Sequence, residues 1–389
     1  MGSTAGGHSA RLFGLDLLRF LAIALVLVEH GSPYLAPAVH VERLFYVFGY
    51  FGVELFFVLS GFLIGTILLN LYEQEQRLGL GLIRDFWVRR WCRTLPLYYL
   101  VLALNIAAHE LFGSASHGLA TYLPFLGFLQ NAVTPQPGFF GEAWSLSVEE
   151  WFYLSLPLVL LLFDRGLSGS GLSVKSKALL GLAFFFVAIV SLRLTVVGVF
   201  DPAWNSGIRK MMPLRLDAIL TGVFFSWLSF YYRGLFTKGR YYYLAAGACL
   251  IPCACWIYYQ DVYSSAAPVF FTKTLYFTMT DVSLALLLPA ASHLRLKSPG
   301  LVSRAVTHVS LVSYSVYLLH QSVVIRFLAL LGSPDSVLSS AFFYGAYLGI
   351  TLVLSSLLYT YFELPMTSLR ERFTKKGQKQ AVPLEPVAS

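Results

Sequence analysis

Ten stretches of predominantly apolar residues recur along the chain, near 15–35, 45–70, 94–112, 143–163, 178–199, 213–232, 241–260, 272–292, 308–331 and 339–362. About twenty residues of α-helix span the roughly 30 Å hydrocarbon core of a bilayer. The repetition therefore predicts an all-α fold, a polytopic transmembrane bundle of about ten helices. Composition closes the soluble alternative: 57% of the residues are hydrophobic and 12% charged, where soluble domains carry about 25% charged residues. The short apolar run at 119–131 falls below spanning length and predicts a re-entrant or interfacial piece.

The net charge of +8 does not point to nucleic acid, because the basic residues sit between apolar spans instead of on one soluble face. They also alternate. Arg77, Arg84, Arg89, Arg90 and Arg93 share one connection, and Arg370, Arg372, Lys375, Lys376 and Lys379 follow the last span. The alternate connections, on the other side, hold only Arg43, Arg209, Lys210 and Lys273. Positive loops stay in the cytoplasm, so the pattern predicts a multi-pass cell-membrane protein with both termini cytoplasmic. The domains expected are a cytoplasmic tail at 1–14, a membrane domain at 15–365 and a polar cytoplasmic tail at 366–389. Ala36-Pro37-Ala38 looks like a signal cleavage site, but the span before it carries Arg19, Glu29 and His30, which a disposable leader does not need. Cys92, Cys249, Cys253 and Cys255 lie in or beside apolar segments without nearby ligand partners, so packing is expected of them, with no metal site.

Ionisable residues inside spans are costly, and each is a functional candidate. Eleven steps separate Arg19 from His30, close to three helical turns, so both fall on one face roughly 16 Å apart. Asp16 joins that face and can pair with Arg19. Histidine suits proton transfer near neutral pH; packing by a hydrogen bond is the plainer use. Arg90 and Arg93, within Phe86–Pro96, share a face that can clamp phosphate bidentately or simply anchor the loop in the cytoplasm. The interleaved tryptophans suit an adenine ring or a membrane interface. The fourth span opens with Glu142-Ala143-Trp144-Ser145-Leu146-Ser147-Val148-Glu149-Glu150, and Ser145 and Glu149 share a face. A carboxylate there is expected to orient His30 or stabilise its charged form. Glu54 and Ser60-Gly61 suit a site or a tight helix contact. Arg215 and Asp217 are expected to pair with each other, and His320 to be a packed histidine more than a second base. Pro365 is expected to end the tenth helix.

Taken in order, these segments resemble the large family of integral membrane acyltransferases, acyltransferase type three. The resemblance runs from Gly14 to Pro365. It rests on the Arg19 to His30 spacing, Gly52-Val53-Glu54-Leu55-Phe56-Phe57-Val58-Leu59-Ser60-Gly61-Phe62, Arg90-x-x-Arg93-x-x-Pro96, Trp144 to Phe152, Arg215-x-Asp217, and Tyr314-Ser315-x-Tyr317-Leu318-x-His320. Glu54 stands where aspartate is commoner, and Gln321 follows His320 where the family often places tryptophan beside the histidine. The resemblance implies transfer of an acyl group, usually acetyl, from cytoplasmic acyl-coenzyme A to a hydroxyl of a glycan, lipid-linked saccharide or small molecule. It implies O-acetylation of the polysaccharide-modifying kind, with acyl-CoA as substrate and no bound cofactor. It also implies Arg19, His30, Arg90, Arg93 and Glu149 as the leading positions, the arginines toward acyl-CoA and the other two toward catalysis; the residues themselves suggest Asp16, Glu54, Ser60, Ser145, Arg215, Asp217 and His320 in support. Whether His30 acts as general base or carries the acyl group stays open. Some members carry an extracytoplasmic esterase-like domain; none is expected here, so acylation is completed in the membrane domain or handed to a separate partner. The competing class is a polytopic exporter, since intramembrane charges also line pathways, though no repeated halves or matched broken helices appear. The expected partners are acyl-CoA, the hydroxylated acceptor and the bilayer.

Overall fold

The computed structural model describes residues 12–35, 42–112, 118–264, 267–296, 298 and 300–369. The Ala36-Pro37-Ala38 segment and nearly all of both expected tails lie outside the described residues. Among these residues there is no strand. The long helical segments, numbered in chain order, are α1 Phe13–Gly31, α2 Glu42–Glu75, α3 Leu80–Phe112, α4 Ala143–Gly166 and α5 Val174–Phe200. They continue as α6 Leu216–Tyr231, α7 Arg240–Tyr263, α8 Leu275–Ala291, α9 Leu301–Leu331 and α10 Val337–Ser368. Every expected span has its helix. Seven of them (α2, α3, α4, α5, α7, α9 and α10) are long and apolar enough to cross a membrane.

The other three fall short for physical reasons. α1 carries Asp16, Arg19 and Glu29, α6 has only 16 residues, and α8 is a shorter apolar helix. A helix walled by protein does not need an apolar exterior all round, and α1 and α6 bury Ala22, Ile23, Val26, Ala218, Ile219 and Val223 completely. Around them, Phe184, Val187, Trp256, Phe342 and Val353 on α5, α7 and α10 turn outward. These apolar side chains need lipid as their solvent.

Two boundaries differ from the sequence reading. α3 starts at Leu80, so Arg84 to Arg93 lie on a helix and not in a loop. Ile83 and Phe86 are buried before Arg89, Arg90 and Arg93, and Thr94, Leu97 and Val101 after them, so buried turns on both sides carry the helix through those charges. α10 does not stop at Pro365: a π-helical turn at Tyr359–Glu363 precedes a final helical turn, Leu364–Ser368. The proline occupies its opening positions, where a missing N–H costs least. The 119–131 run forms short turns, Leu119–Thr121 and Leu123–Leu126, tied to α3 by Tyr98 Oη donating to Phe125 O at 2.9 Å and Tyr99 Oη to Leu126 O at 2.8 Å.

α2 and α6 cross backbone against backbone. A Cβ on Gly61 would overlap the carbonyl oxygen of Ile219, and one on Gly222 that of Val58. Beside the crossing lies a buried ion network. Arg215 donates to both oxygens of Glu54, at 3.0 and 2.7 Å, with Asp281 at 3.8 Å. Arg193 donates to Asp217 at 2.8 Å, and Thr278 donates to the other Asp217 oxygen at 3.1 Å. The expected Arg215–Asp217 pair is therefore replaced by two crossed pairs, because residues two apart on a helix do not face each other. The network joins α2, α5, α6 and α8.

Candidate active site

Among the described residues, two of the cavities hold the leading residues expected at the site. The first, about 770 Å³, has Arg19 on α1, Ser60 on α2, Arg90 and Arg93 on α3, Glu149 on α4 and Tyr314 on α9 among its walls. The face-sharing expected of Arg90 with Arg93, and of Ser145 with Glu149, is realised, since all four line this space. Glu149 is half-buried and accepts from Ser60 Oγ and Tyr153 Oη, each at 3.1 Å. The Arg90 guanidinium lies 4.6 Å from the centre of the Tyr153 ring. That stacking leaves much of its donor fork for an anion. Trp87 and Trp91 stack on each other at 5.9 Å, but neither is among the walls.

The second cavity, about 1310 Å³, has Glu29 and His30 on α1, Glu142 and Trp144 at the start of α4, and Arg209 and Lys210 in the connection before α6. Arg19 and His30 thus serve different chambers of one helix. Val53 and Tyr317 line both chambers, so a single wall divides them. Tyr317 Oη stands 2.6 Å from Ser145 Oγ, which pins the phenol at that wall.

Two carbonyls fix the tautomer of the histidines. His320 Nδ1 lies 2.7 Å from Tyr317 O, and His30 Nδ1 lies 3.1 Å from Val26 O. A carbonyl oxygen only accepts, so each Nδ1 carries the hydrogen. His320 Nε2, 3.2 Å from His30 Nδ1, then shares that hydrogen as acceptor. The basic nitrogen of His30 is Nε2, 3.7 Å from Glu29 Oε2. His320 begins a π-helical turn, His320–Ile325, a break in regular helix that aims side chains unusually.

The expected contact of Glu149 with His30 is not made. Glu149 lies two turns of α4 below Glu142, about 10 Å along the axis, and its oxygens are taken in the first chamber. Glu29, adjacent in sequence, is the carboxylate beside His30. Asp16 is buried and accepts from Ser310 Oγ at 2.8 Å. Glu54, Arg215 and Asp217 line neither chamber. Tyr317, Glu142 and Trp144 lie inside the sequence motifs, where spacing alone does not mark them; in sequence Arg209 and Lys210 are only loop charge. Burial and the neighbouring Arg209 charge hold the Lys210 ammonium down to about 8, with Glu29 pulling the other way.

A family described as "Acyltransferase domain" matches residues 12–360. A Staphylococcus aureus protein named "Putative O-acetyltransferase" is 26% identical over 231 residues, covering 55% of this chain and 34% of its own length. The peptidoglycan O-acetyltransferase OatA of Listeria monocytogenes is 31% identical over 183 residues, covering 43% of this chain and 27% of its own. The matched parts thus span about a third or less of these relatives. No solved structure matches the chain.

Proposed function

The chain belongs to the acyltransferase domain family, and from that premise we propose that it is a membrane O-acyltransferase using cytoplasmic acyl-coenzyme A, preferably acetyl-CoA, on a hydroxyl of a glycan, lipid-linked saccharide or similar acceptor. The observation that supports this most is the pair of chambers back to back, one bearing arginines and one bearing His30, divided by Val53 and Tyr317.

In this reading the arginine end faces the cytoplasm, as positive-inside charge favours. Arg90 and Arg93 hold donor phosphates in bidentate fashion, with Arg19 on the facing wall. Glu149, within electrostatic reach of both α3 arginines, keeps them turned inward. The pantetheine arm follows α1 toward the dividing wall, over roughly the 16 Å between Arg19 and His30. On the far side the acceptor hydroxyl gives its proton to His30 Nε2 while its oxygen bonds to the thioester carbonyl carbon. The C–S bond breaks as the tetrahedral intermediate collapses, and the leaving thiolate takes the proton back from Nε2. An ester and free coenzyme A result, and His30 returns to its starting state. Glu29 steadies the imidazolium in between.

The purified protein in lipid nanodiscs, given acetyl-CoA and an envelope glycan extract, tests this. Thiol release should accompany an acetyl mass increment on the glycan, and His30→Ala should lower both about 10²–10⁴-fold. Binding of the glycan without any thioester cleavage would instead identify an exporter.

A further inference from the structure

The second chamber contains a cationic corner that the transfer chemistry does not use. Arg209 places its guanidinium 5.2 Å from the centre of the Trp144 ring and 5.3 Å from that of Tyr50. Its Nη1 donates to Asn205 Oδ1 at 3.3 Å, while its buried Nε has no hydrogen-bond partner. Lys210 follows directly and lines the same chamber. Among the described residues, no carboxylate lies within 4 Å of either cation. Stacking on aromatic rings fixes a guanidinium in place without neutralising it. Arg209, held this way and short of a hydrogen-bond acceptor, and the adjacent Lys210 repel each other until an anion sits between them.

The rest of the chamber suits a sugar. Trp144, Trp204 and Tyr258 present ring surface, and Asn205 and Gln321 present amides; flat apolar faces with a few fixed polar groups are what bind a pyranose. His30 lines the same chamber, so a sugar seated here can offer a hydroxyl to Nε2.

Resting on the acyl-transfer reading above, we propose that Arg209 and Lys210 form an acceptor subsite for an oxyanion, so that the preferred acceptor is a hydroxylated sugar bearing a carboxylate or phosphate. The anion docks between the two cations, and the charge-assisted contacts set which hydroxyl reaches His30. Burial and Arg209 hold the Lys210 ammonium down against the pull of Glu29, and a docked anion acts in the same direction as Glu29.

Mass spectrometry of envelope glycans and lipids from cells with and without the gene provides the first test. The acyl increment that disappears should sit on a sugar carrying a carboxylate or phosphate, and the fragment masses tell these two apart. An increment confined to a neutral glycan without any anionic group overturns the proposal while leaving acyl transfer intact. If no increment is lost and the purified protein cleaves no thioester, the enzyme reading itself fails.

The second test is kinetic, using that identified acceptor. Arg209→Gln and Lys210→Gln should each raise acceptor KM about tenfold, with little change in the KM for acetyl-CoA, and Arg209→Lys should recover part of the loss. Lys210→Gln removes no ring contact, so it reads the charge without disturbing the aromatic stack. Unchanged acceptor KM in both Lys210→Gln and Arg209→Gln, each stably folded, would overturn the subsite.

Discussion

The Nε2 of His320 stands 3.2 Å from the Nδ1 of His30, so the imidazole proposed to take the acceptor proton is oriented by a second, fully buried imidazole. A histidine whose far nitrogen is held presents one tautomer and one ring angle to its substrate. His320→Ala removes one of the two acceptors sharing the Nδ1 hydrogen and leaves Val26 O to hold the ring alone. The expected result is a kcat lowered about 10–100-fold, with acetyl-CoA KM nearly unchanged. His320→Gln, whose amide oxygen can accept the same hydrogen, should recover part of kcat. Equal kcat in both variants and in the parent would reduce His320 to packing.

Arg90 and Arg93 should act on the donor alone. Arg90→Ala and Arg93→Ala are expected to raise acetyl-CoA KM about tenfold or more, and the lysine variants should recover only part because the bidentate fork is gone. Steady-state kinetics at saturating acceptor checks this. If the donor KM stays put in both alanine variants, the cluster serves topology only.

The ion network should matter for stability and not for transfer chemistry. Arg215→Met leaves Glu54 buried without its bidentate partner, a change that typically costs about 3–5 kcal/mol. A large drop in thermal unfolding midpoint in detergent is expected. Arg215→Met combined with Glu54→Gln should regain part of it, since the uncompensated charge is removed as well. A single variant as stable as the parent would show that Asp281, 3.8 Å from Arg215, and its neighbours readjust without cost.

Orientation can be read with single cysteines at positions 90 and 133, the latter 87% exposed in the connection between α3 and α4, after replacement of the four native ones. An impermeant thiol reagent applied to intact cells is expected to label position 133 and spare position 90. The opposite pattern places the arginine chamber outside and removes the cytoplasmic donor route.

Local periodicity carried much of this arrangement. The apolar runs located each helix, and helical phase alone put Ser145 with Glu149 and Arg90 with Arg93, because faces repeat every 3.6 residues whatever the helix packs against. Partners from different helices follow no such rule. The sequence offers Glu149 as the carboxylate to orient His30, yet depth along each helix decides the matter, and Glu149 lies well below. Arg215 and Asp217 looked like a pair in one dimension and split between Glu54 and Arg193 in three. Arg209 and Lys210 gave no periodic signal; only the fold brings their connection over the mouth of His30's chamber. α3 began early because a buried stripe through Ile83 and Phe86 extends beyond the purely apolar stretch.

The wall between the two chambers bears on something other than chemistry. A protein hollowed from both sides of a membrane risks becoming a pore, and a continuous wet passage would let protons and ions run down their gradients. Val53 and the Ser145-tethered Tyr317 line both chambers. In the proposed two-sided arrangement, they therefore belong to the electrical seal that the membrane needs between turnovers.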